Sequence, residues 1–187
     1  MTLQELKRDV LALIEELNEN SEFLTDDPDI QNKINTVINQ IQLELARMKK
    51  ITAFSTESVS AGEVFELNDL DDFYQLRLIK AKNDVGKDIG YDLVENMVIF
   101  EEDGEATFYY YKYPKLITST TDEAVYKFEL PQDALGIMPY GVAGDLLKSD
   151  VSAQYGAVYT QRYESMMQML DPRYAMASVT VEGGVSI

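Results

Sequence analysis

In the first fifty positions, apolar residues recur every three or four residues, the spacing of one face of a helix. The first run predicts a helix over residues 3–18, which Thr2 and Glu5 would begin with the spacing of a capping box. The second predicts a helix over residues 28–50, with Asp27 as its N-terminal cap and Pro28 in its first turn. Both runs are polar on the opposite side, so each helix is expected to bury one face.

From residue 64 the pattern changes to short runs rich in β-branched and aromatic residues. These predict an antiparallel sheet of five or six strands, at 62–67, 74–81, 89–93, 97–101, 106–113 and 124–130. Asp103-Gly104 predicts a hairpin turn between two of them, because glycine accepts the positive φ that a tight turn requires. A second turn is predicted over 83–87, which contains Gly86. Residues 51–61 also become β-like in composition, but no strand is assigned to them.

Helical character returns after Pro131, although Pro139 and three glycines predict a kink or a break near Met138. A further helix is predicted over 150–170, and residues 173–187 are expected to form an arm. The predicted fold class is therefore α+β, a bundle of about four helices interrupted by an antiparallel β insertion domain. Its parts are 1–53 with 131–172 for the bundle, 54–130 for the insertion and 173–187 for the arm. The bundle core is predicted to contain Leu6, Val10, Leu13, Leu17, Ile34, Val37, Ile41, Leu45, Leu135, Val142, Leu146, Tyr155, Val158 and Met166.

The composition argues against an enzyme. The chain has no His and no Cys, which removes the commonest general base, the commonest transition-metal ligand and any thiol nucleophile. No cofactor motif and no catalytic residue is found. The N-terminal residues lack the basic flank and apolar run of a signal peptide, and no stretch is long and apolar enough for a membrane span, so a cytosolic, non-membrane protein is expected.

The formal charge of −17 is unevenly distributed, since residues 54–133 alone carry −11. Such a surface repels phosphate backbones, so ordinary DNA binding is not expected. The acidic clusters at 26–29 and 69–72 supply oxygen ligands of the kind that bind Ca²⁺ or Mg²⁺, but neither matches the calcium-binding loop, and a helix cap and a surface turn explain them better. The aromatic run from Phe108 to Tyr113 is interpreted as a core and interface strand in preference to a base-stacking platform, because few bases adjoin it in sequence.

Several segments in the last third of the chain resemble tailed-bacteriophage head-to-tail connector, or adaptor, proteins. They are Glu129–Leu135, with a Leu-Pro-x-x-Ala helix start, Pro139–Leu147, with a small-residue Ala-x-x-Leu-Leu pattern, Ser149-Asp150, and the tyrosine-rich stretch Tyr155–Leu170. The leading helices and the inserted β region resemble the same family outline, so the resemblance covers most of the chain.

The resemblance implies a structural virion protein, located at the head-to-tail interface and in the host cytoplasm during assembly. Its expected partners are the portal protein, further copies of itself in a ring, commonly a dodecamer, and other tail or connector proteins. DNA would pass through the ring without specific binding. The C-terminal arm would dock on the portal or on an adjacent subunit, with Val179, Val181, Val185 and Ile187 as candidate contact residues.

Acidic residues suit the lining of such a conduit, because each Lys or Arg facing the moving DNA would add a sticking point. The candidate channel-lining residues are Asp69, Asp71, Asp72, Glu101, Glu102 and Asp103. Whether the insertion faces the channel or the outside stays open. The alternative function is a soluble acidic decoy that imitates DNA and binds a basic partner, although decoys carry carboxylates along one surface and the densest acids here lie in predicted loops.

Overall fold

The computed structural model describes residues 1–148 and 153–170, which form a mixed α+β fold. The helices are α1 (Leu3–Leu13), α2 (Pro28–Met48), α3 (Gln132–Leu135), α4 (Met138–Leu147) and α5 (Ala153–Leu170). The strands are β1 (Ile51–Val59), β2 (Val64–Glu66), β3 (Phe73–Lys82), β4 (Tyr91–Val94), β5 (Met97–Phe100) and β6 (Gly104–Lys112), with a 3-10 turn at Leu67–Asp69. The predicted start of the last helix and the whole predicted arm lie outside the described residues.

Both predicted helix starts are confirmed. The Thr2 hydroxyl accepts from the Glu5 amide at 3.2 Å, and a Glu5 carboxylate oxygen accepts from the Thr2 amide at 2.7 Å, which completes a capping box. Asp27 caps α2 by accepting from the amides of Asp29 and Ile30 at 2.8 and 3.3 Å. These bonds satisfy amides that have no partner inside the helix.

The first helix is shorter than predicted, because it ends at Leu13 and not at residue 18. Glu15 has a φ of 62°, and the amides of Glu15 and Glu16 donate to the carbonyls of Ala12 and Leu11. This is the Schellman arrangement that ends a helix and reverses the chain. The apolar spacing continues past the break because Leu17 still packs, half-buried, against the helical core.

The predicted break near Met138 is confirmed, since α3 ends at Leu135 and α4 begins at Met138. Pro139 lies in the first turn of α4, where its missing amide leaves no hydrogen bond unmade. Helix α4 is buried along most of its length, between α1, α2 and α5.

The strands form two antiparallel three-stranded sheets, ordered β1-β6-β3 and β2-β5-β4, so the prediction of a single sheet is wrong. Strand β1 was not predicted, whereas the predicted strand at 124–130 is not a strand. The carbonyls of Glu123 and Tyr126 instead accept from the free amides at the start of α1, at 3.0 and 3.1 Å. Helix α2 also contacts the segment between β6 and α3, because the Asn39 side chain exchanges two hydrogen bonds with the Ile117 backbone, at 2.8 and 2.9 Å.

The predicted hairpin at Asp103-Gly104 is also wrong. Strands β5 and β6 belong to different sheets, and Gly104 joins them without a positive φ. A Cβ at Gly104 would collide with the carbonyl oxygen of Lys82, so this glycine allows a close approach of strands. The two-residue hairpin is the one between β4 and β5, in which Glu95 has a φ of 55°. The predicted turn at 83–87 is confirmed, with Gly86 at a φ of 79°.

Buried apolar residues fall into two clusters, one among the helices and one between the two sheets. The sheets face each other through stacked Phe65 and Phe108, whose ring centroids lie 4.5 Å apart. Of the predicted bundle core, Leu6, Val10, Ile34, Ile41, Leu45, Leu135, Val142 and Leu146 are buried, and Leu13, Leu17, Val37 and Met166 are half-buried. Tyr155 and Val158 are exposed, so these two predictions are wrong.

Tyr155 and Val158 lie on the side of α5 that points away from the core. The side that faces the core carries Gly156, Tyr159, Thr160, Tyr163, Met166, Met167 and Leu170. Gly156 packs against Leu147, and Gly144 of α4 packs against Thr160. The contact between these helices therefore runs through glycines, which a search for large apolar residues does not find.

Candidate functional surfaces

The acids predicted to line a channel do not form one patch. Asp71 and Asp72 precede β3 beside the Lys112 end of β6, whereas Glu102 and Asp103 precede β6 at its Gly104 end. A nine-residue strand separates the two groups by roughly 27 Å. All six acids are exposed except Glu102, which is half-buried. Val179, Val181, Val185 and Ile187, predicted to bind a partner, lie outside the described residues.

Glu102 and Asp103 lie in the short segment that connects β5 of one sheet to β6 of the other, and their side chains form hydrogen bonds with two neighbouring loops. Glu102 accepts from the Asn83 amide group at 2.9 Å and from the Lys87 ammonium at 3.4 Å, and these two partners lower the pKa of its carboxyl. Asp103 accepts from the Ala61 backbone amide at 2.7 Å. These bonds stabilise the loops around this connecting segment.

Within residues 1–148 and 153–170, no group of three or more acids is placed to hold a metal ion. In the 26–29 cluster, Asp27 is the helix cap and Asp26 accepts from the Asn18 amide group at 2.6 Å. None of the described helices is both long enough and apolar enough to cross a bilayer. The surfaces that remain as candidates are the outer sides of the two sheets.

The outer side of the β1-β6-β3 sheet is called here the basic face. Burial alternates along β1, so that Thr52, Phe54 and Thr56 point outward while the residues between them point toward the other sheet. Across the strands, Phe54 lies opposite Tyr109 and Thr52 opposite Tyr111. Phe108 and Tyr110 face inward and are buried. The aromatic run is thus divided, one half filling the core and the other half lining an open surface.

Three cations lie over the tyrosines of the basic face. The Lys50 ammonium is 4.6 Å from the ring centre of Tyr111, the Arg77 guanidinium carbon is 5.2 Å from the same centre, and the Lys80 ammonium is 5.4 Å from that of Tyr109. A register shift between Leu76 and Leu78 makes room for Arg77. None of the three cations forms an ion pair with a described residue.

Apolar side chains complete the basic face. Phe54 is 72% exposed and Leu78 is 48% exposed, on either side of Tyr109. The remaining charged residues of this side are Lys82 and Glu105, which lie opposite each other near its far end. The face therefore carries four bases and one acid, in a chain whose formal charge is −17. An open sheet side that combines aromatic, aliphatic and cationic groups is suited to binding an anionic, partly apolar surface.

The outer side of the β2-β5-β4 sheet is called here the acidic face. Phe65, Val98 and Phe100 pack in the core, so their neighbours along the strands point outward. Asp92 and Val64 flank Ile99 on this side. The next row of outward-facing residues across the three strands contains Glu66, Met97 and Val94.

The acidic face is also apolar. Val64 and Val94 are 48% and 52% exposed, and Met97 is exposed as well. The three strands of this sheet contain no Lys and no Arg. The two sheets thus present outer faces of opposite charge, pointing away from each other because their inner faces are packed together.

Sequence reasoning did not find the basic face. It expected few bases near the aromatic run, whereas the fold brings Lys50 from the end of α2 and two cations from β3 to the tyrosines of β6. One signal was available in the sequence. Along β3, exposed Leu78 and Lys80 alternate with buried Ile79 and Ala81, and Arg77 is exposed beside them. Reading it would have required the pairing of β3 with β6, which lie far apart in the chain.

Comparison with known proteins gives no relationship: no protein-family model matches the chain, and no curated protein matches it.

Proposed function

We propose that this protein is a structural virion subunit, a head-to-tail connector (adaptor) that forms a ring beneath the portal and continues the DNA channel toward the tail. In this proposal it acts by packing against copies of itself, the portal and other tail proteins, and it has no enzymatic activity. The host cytoplasm is where it is made and assembled.

The observation that carries the proposal is the pair of uncovered sheet faces. A monomer that worked alone would have little reason to leave Phe54, Leu78, Val64 and Val94 in open sheet surfaces, because extended apolar patches usually mark contacts with other molecules.

The segments that carry the family resemblance support the proposal through their position. Leu130, Ala134 and Leu135 of the Leu-Pro-x-x-Ala segment are buried in the helical cluster. The small residues of α4 allow close packing with α5, where Gly141 meets Tyr163 and Gly144 meets Thr160. Leu130, Ala134, Leu135 and the small residues of α4 therefore lie at the centre of the helical part.

The domain arrangement belongs to the same proposal. We regard residues 1–53 and 131–172 as a helical bundle of about four helices, and 54–130 as a β-rich insertion. The separation of the two apolar clusters supports this division. Ile117 and Phe128 pack with the helices, which suggests that the chain returns to the bundle soon after β6 ends.

A direct test uses the purified full chain and the portal protein of the same virus. Light scattering after size exclusion should give a complex larger than the portal ring alone, and electron microscopy should show an added ring on one end of the portal. Mass spectrometry of purified particles should detect the protein. Failure to bind the portal, together with absence from particles, would refute the proposal.

The acidic decoy is the other outcome of this test. It would be supported by a stable one-to-one complex with a basic DNA-binding protein and no portal binding. The basic face argues against it, because a decoy gains nothing from unpaired cations at Arg77 and Lys80.

A further inference from the structure

We infer that the basic face of one copy of this chain binds the acidic face of the next copy. Neighbouring subunits would then stack head to tail through their pairs of packed sheets, each pair forming a β-sandwich. This inference rests on the proposed ring-forming function and specifies the contact through which the ring would form. It commits to a second copy of the same chain as the occupant of both faces.

Charge complementarity is the first argument. The basic face carries a net +3 from four bases and one acid, so the rest of a chain of −17 carries −20. The acidic face has Glu66 and Asp92 on its outer side, in strands without any base. Another copy of this chain therefore supplies a surface of the opposite charge at the same concentration as the basic face itself.

Apolar complementarity is the second argument. Phe54 and Leu78 on one face, and Val64, Val94 and Met97 on the other, are exposed in both cases. Packing one face on the other would remove apolar surface from water on both partners and set the unpaired cations against carboxylates. Neither face is covered by any other part of residues 1–148 and 153–170.

The direction of the contact follows from the charges. Two basic faces related by a two-fold axis would bring together two surfaces that each carry a net charge of +3, so a symmetric dimer through this face is disfavoured. The faces lie on opposite sides of the same sandwich, because the inner sides pack through Phe65 and Phe108. A contact between unlike faces repeats from copy to copy, and it closes into a ring when the rotation between neighbouring copies divides a full turn, whereas any other rotation gives an open filament.

The expected strength is modest. The longest strand pair on the basic face spans nine residues, about 30 Å, and three strands about 5 Å apart give a patch of roughly 400 Å². A standard interface buries about 800 Å² on each partner. The sheet contact alone should thus be weak in dilute solution and should become populated at high concentration or on a portal that holds the copies side by side.

Charge reversal tests the inference. One variant carries Arg77→Glu and Lys80→Glu on the basic face, and a second carries Glu66→Lys and Asp92→Lys on the acidic face. Each alone should lose self-association, because like charges then meet across the contact. Mixing the two variants, or combining all four substitutions in one chain, should restore it. The control is Lys115→Glu with Lys127→Glu, which alters the net charge as much as the first variant does, at exposed positions outside both faces.

Self-association is measured by sedimentation equilibrium of the free protein and by the number of copies bound to portal rings. A second readout keeps the native faces. Since the chain has no Cys, Thr56→Cys and Val64→Cys place single thiols on the basic and acidic faces of two separately tagged copies. A short bismaleimide should join unlike thiols far more often than like ones, both in concentrated solution and on the portal.

The outcomes separate the inference from the proposed function. Ring formation on the portal that is unchanged by the charge reversals would overturn the inference and leave the connector function standing. Charge-dependent association without any portal binding would support the contact and refute the connector function. Equal like and unlike cross-linking, or no cross-linking in either setting, would contradict the contact. Binding of single-stranded DNA that Lys80→Glu abolishes, without copy-to-copy association, would assign the basic face to nucleic acid.

Discussion

At the scale of single residues, Tyr163 shows how burial shifts the pKa of a side chain. Its side chain is buried between α4 and α2, and its hydroxyl donates to a Glu44 carboxylate oxygen at 3.1 Å. Burial first, and the negative charge of Glu44 second, raise the pKa of this phenol well above its ordinary value of about 10. The folded protein therefore keeps the proton at a pH where the unfolded chain has lost it.

The sign of the pH dependence follows from this difference. A raised pKa in the folded state contributes stability that is constant below pH about 10 and is lost as the pH rises further, because the unfolded state ionises first. Replacing Tyr163 with Phe should make the decline in unfolding free energy above pH 10 shallower. Urea titrations at several alkaline pH values measure it, and the exposed Tyr155→Phe is the control, expected to leave the slope unchanged. Equal slopes for Tyr163→Phe and the parent chain would contradict the assignment.

At the scale of elements, the α4–α5 contact depends on the absence of a side chain at Gly144. A Cβ there would lie 2.6 Å from the Thr160 hydroxyl oxygen and 3.0 Å from the Thr160 backbone nitrogen, so the helices would have to separate. Gly144→Ala should lower the unfolding free energy by about 1–2 kcal/mol, because overpacking costs about 1–3 kcal/mol and exceeds the helix propensity gained. Urea unfolding followed by circular dichroism gives the value.

Gly136→Ala is the matched control for Gly144→Ala. Its nearest neighbours would lie 3.6 and 3.7 Å from the new Cβ, which is ordinary contact, and its φ is −66°. This variant should be unchanged or more stable by up to about 1 kcal/mol. The two substitutions thus have opposite expected signs, and a stabilised Gly144→Ala would show that the helices do not pack as closely as described.

The elements also show what could be predicted from sequence. Helix starts at Thr2 and Asp27 were predictable because their hydrogen bonds are local. Strand pairing was not, since the partners at the connection between the two sheets lie far apart in the chain. Ala61 and Asp103 are 42 positions apart and Val59 and Gly104 are 45 positions apart, and no local pattern predicts that they meet. Residues 124–130 had strand-like composition, yet the Tyr126 carbonyl among them accepts a hydrogen bond from the Leu3 amide at the start of α1.

The candidate surfaces were less predictable than the fold. Their parts come from separate segments, so Lys50, Arg77 and Tyr111 become neighbours only when β3 and β1 pair on either side of β6. The acids predicted to line the channel were chosen because they are close together in the sequence. Such runs of acidic residues occur mostly in loops, and the outward-facing residues of a strand are separated by inward-facing ones. A search for alternating charge along the strands would have come closer, since Asp92 and Lys80 both lie on outward positions.

At the scale of the whole molecule, the charge of −17 acts in two opposite ways on folding and on assembly. Within one copy, like charges repel and oppose the compact state, so salt should stabilise the fold by screening them. Between copies, the proposed contact joins faces of opposite charge, so salt should weaken it. Raising NaCl from about 20 mM to about 500 mM, which shortens the screening length to a few Å, should therefore raise the melting temperature while lowering self-association. Thermal scans and sedimentation equilibrium of the same samples measure both effects. Association that strengthens with salt would mean that attraction between the two faces is weaker than the overall repulsion between copies that each carry −17.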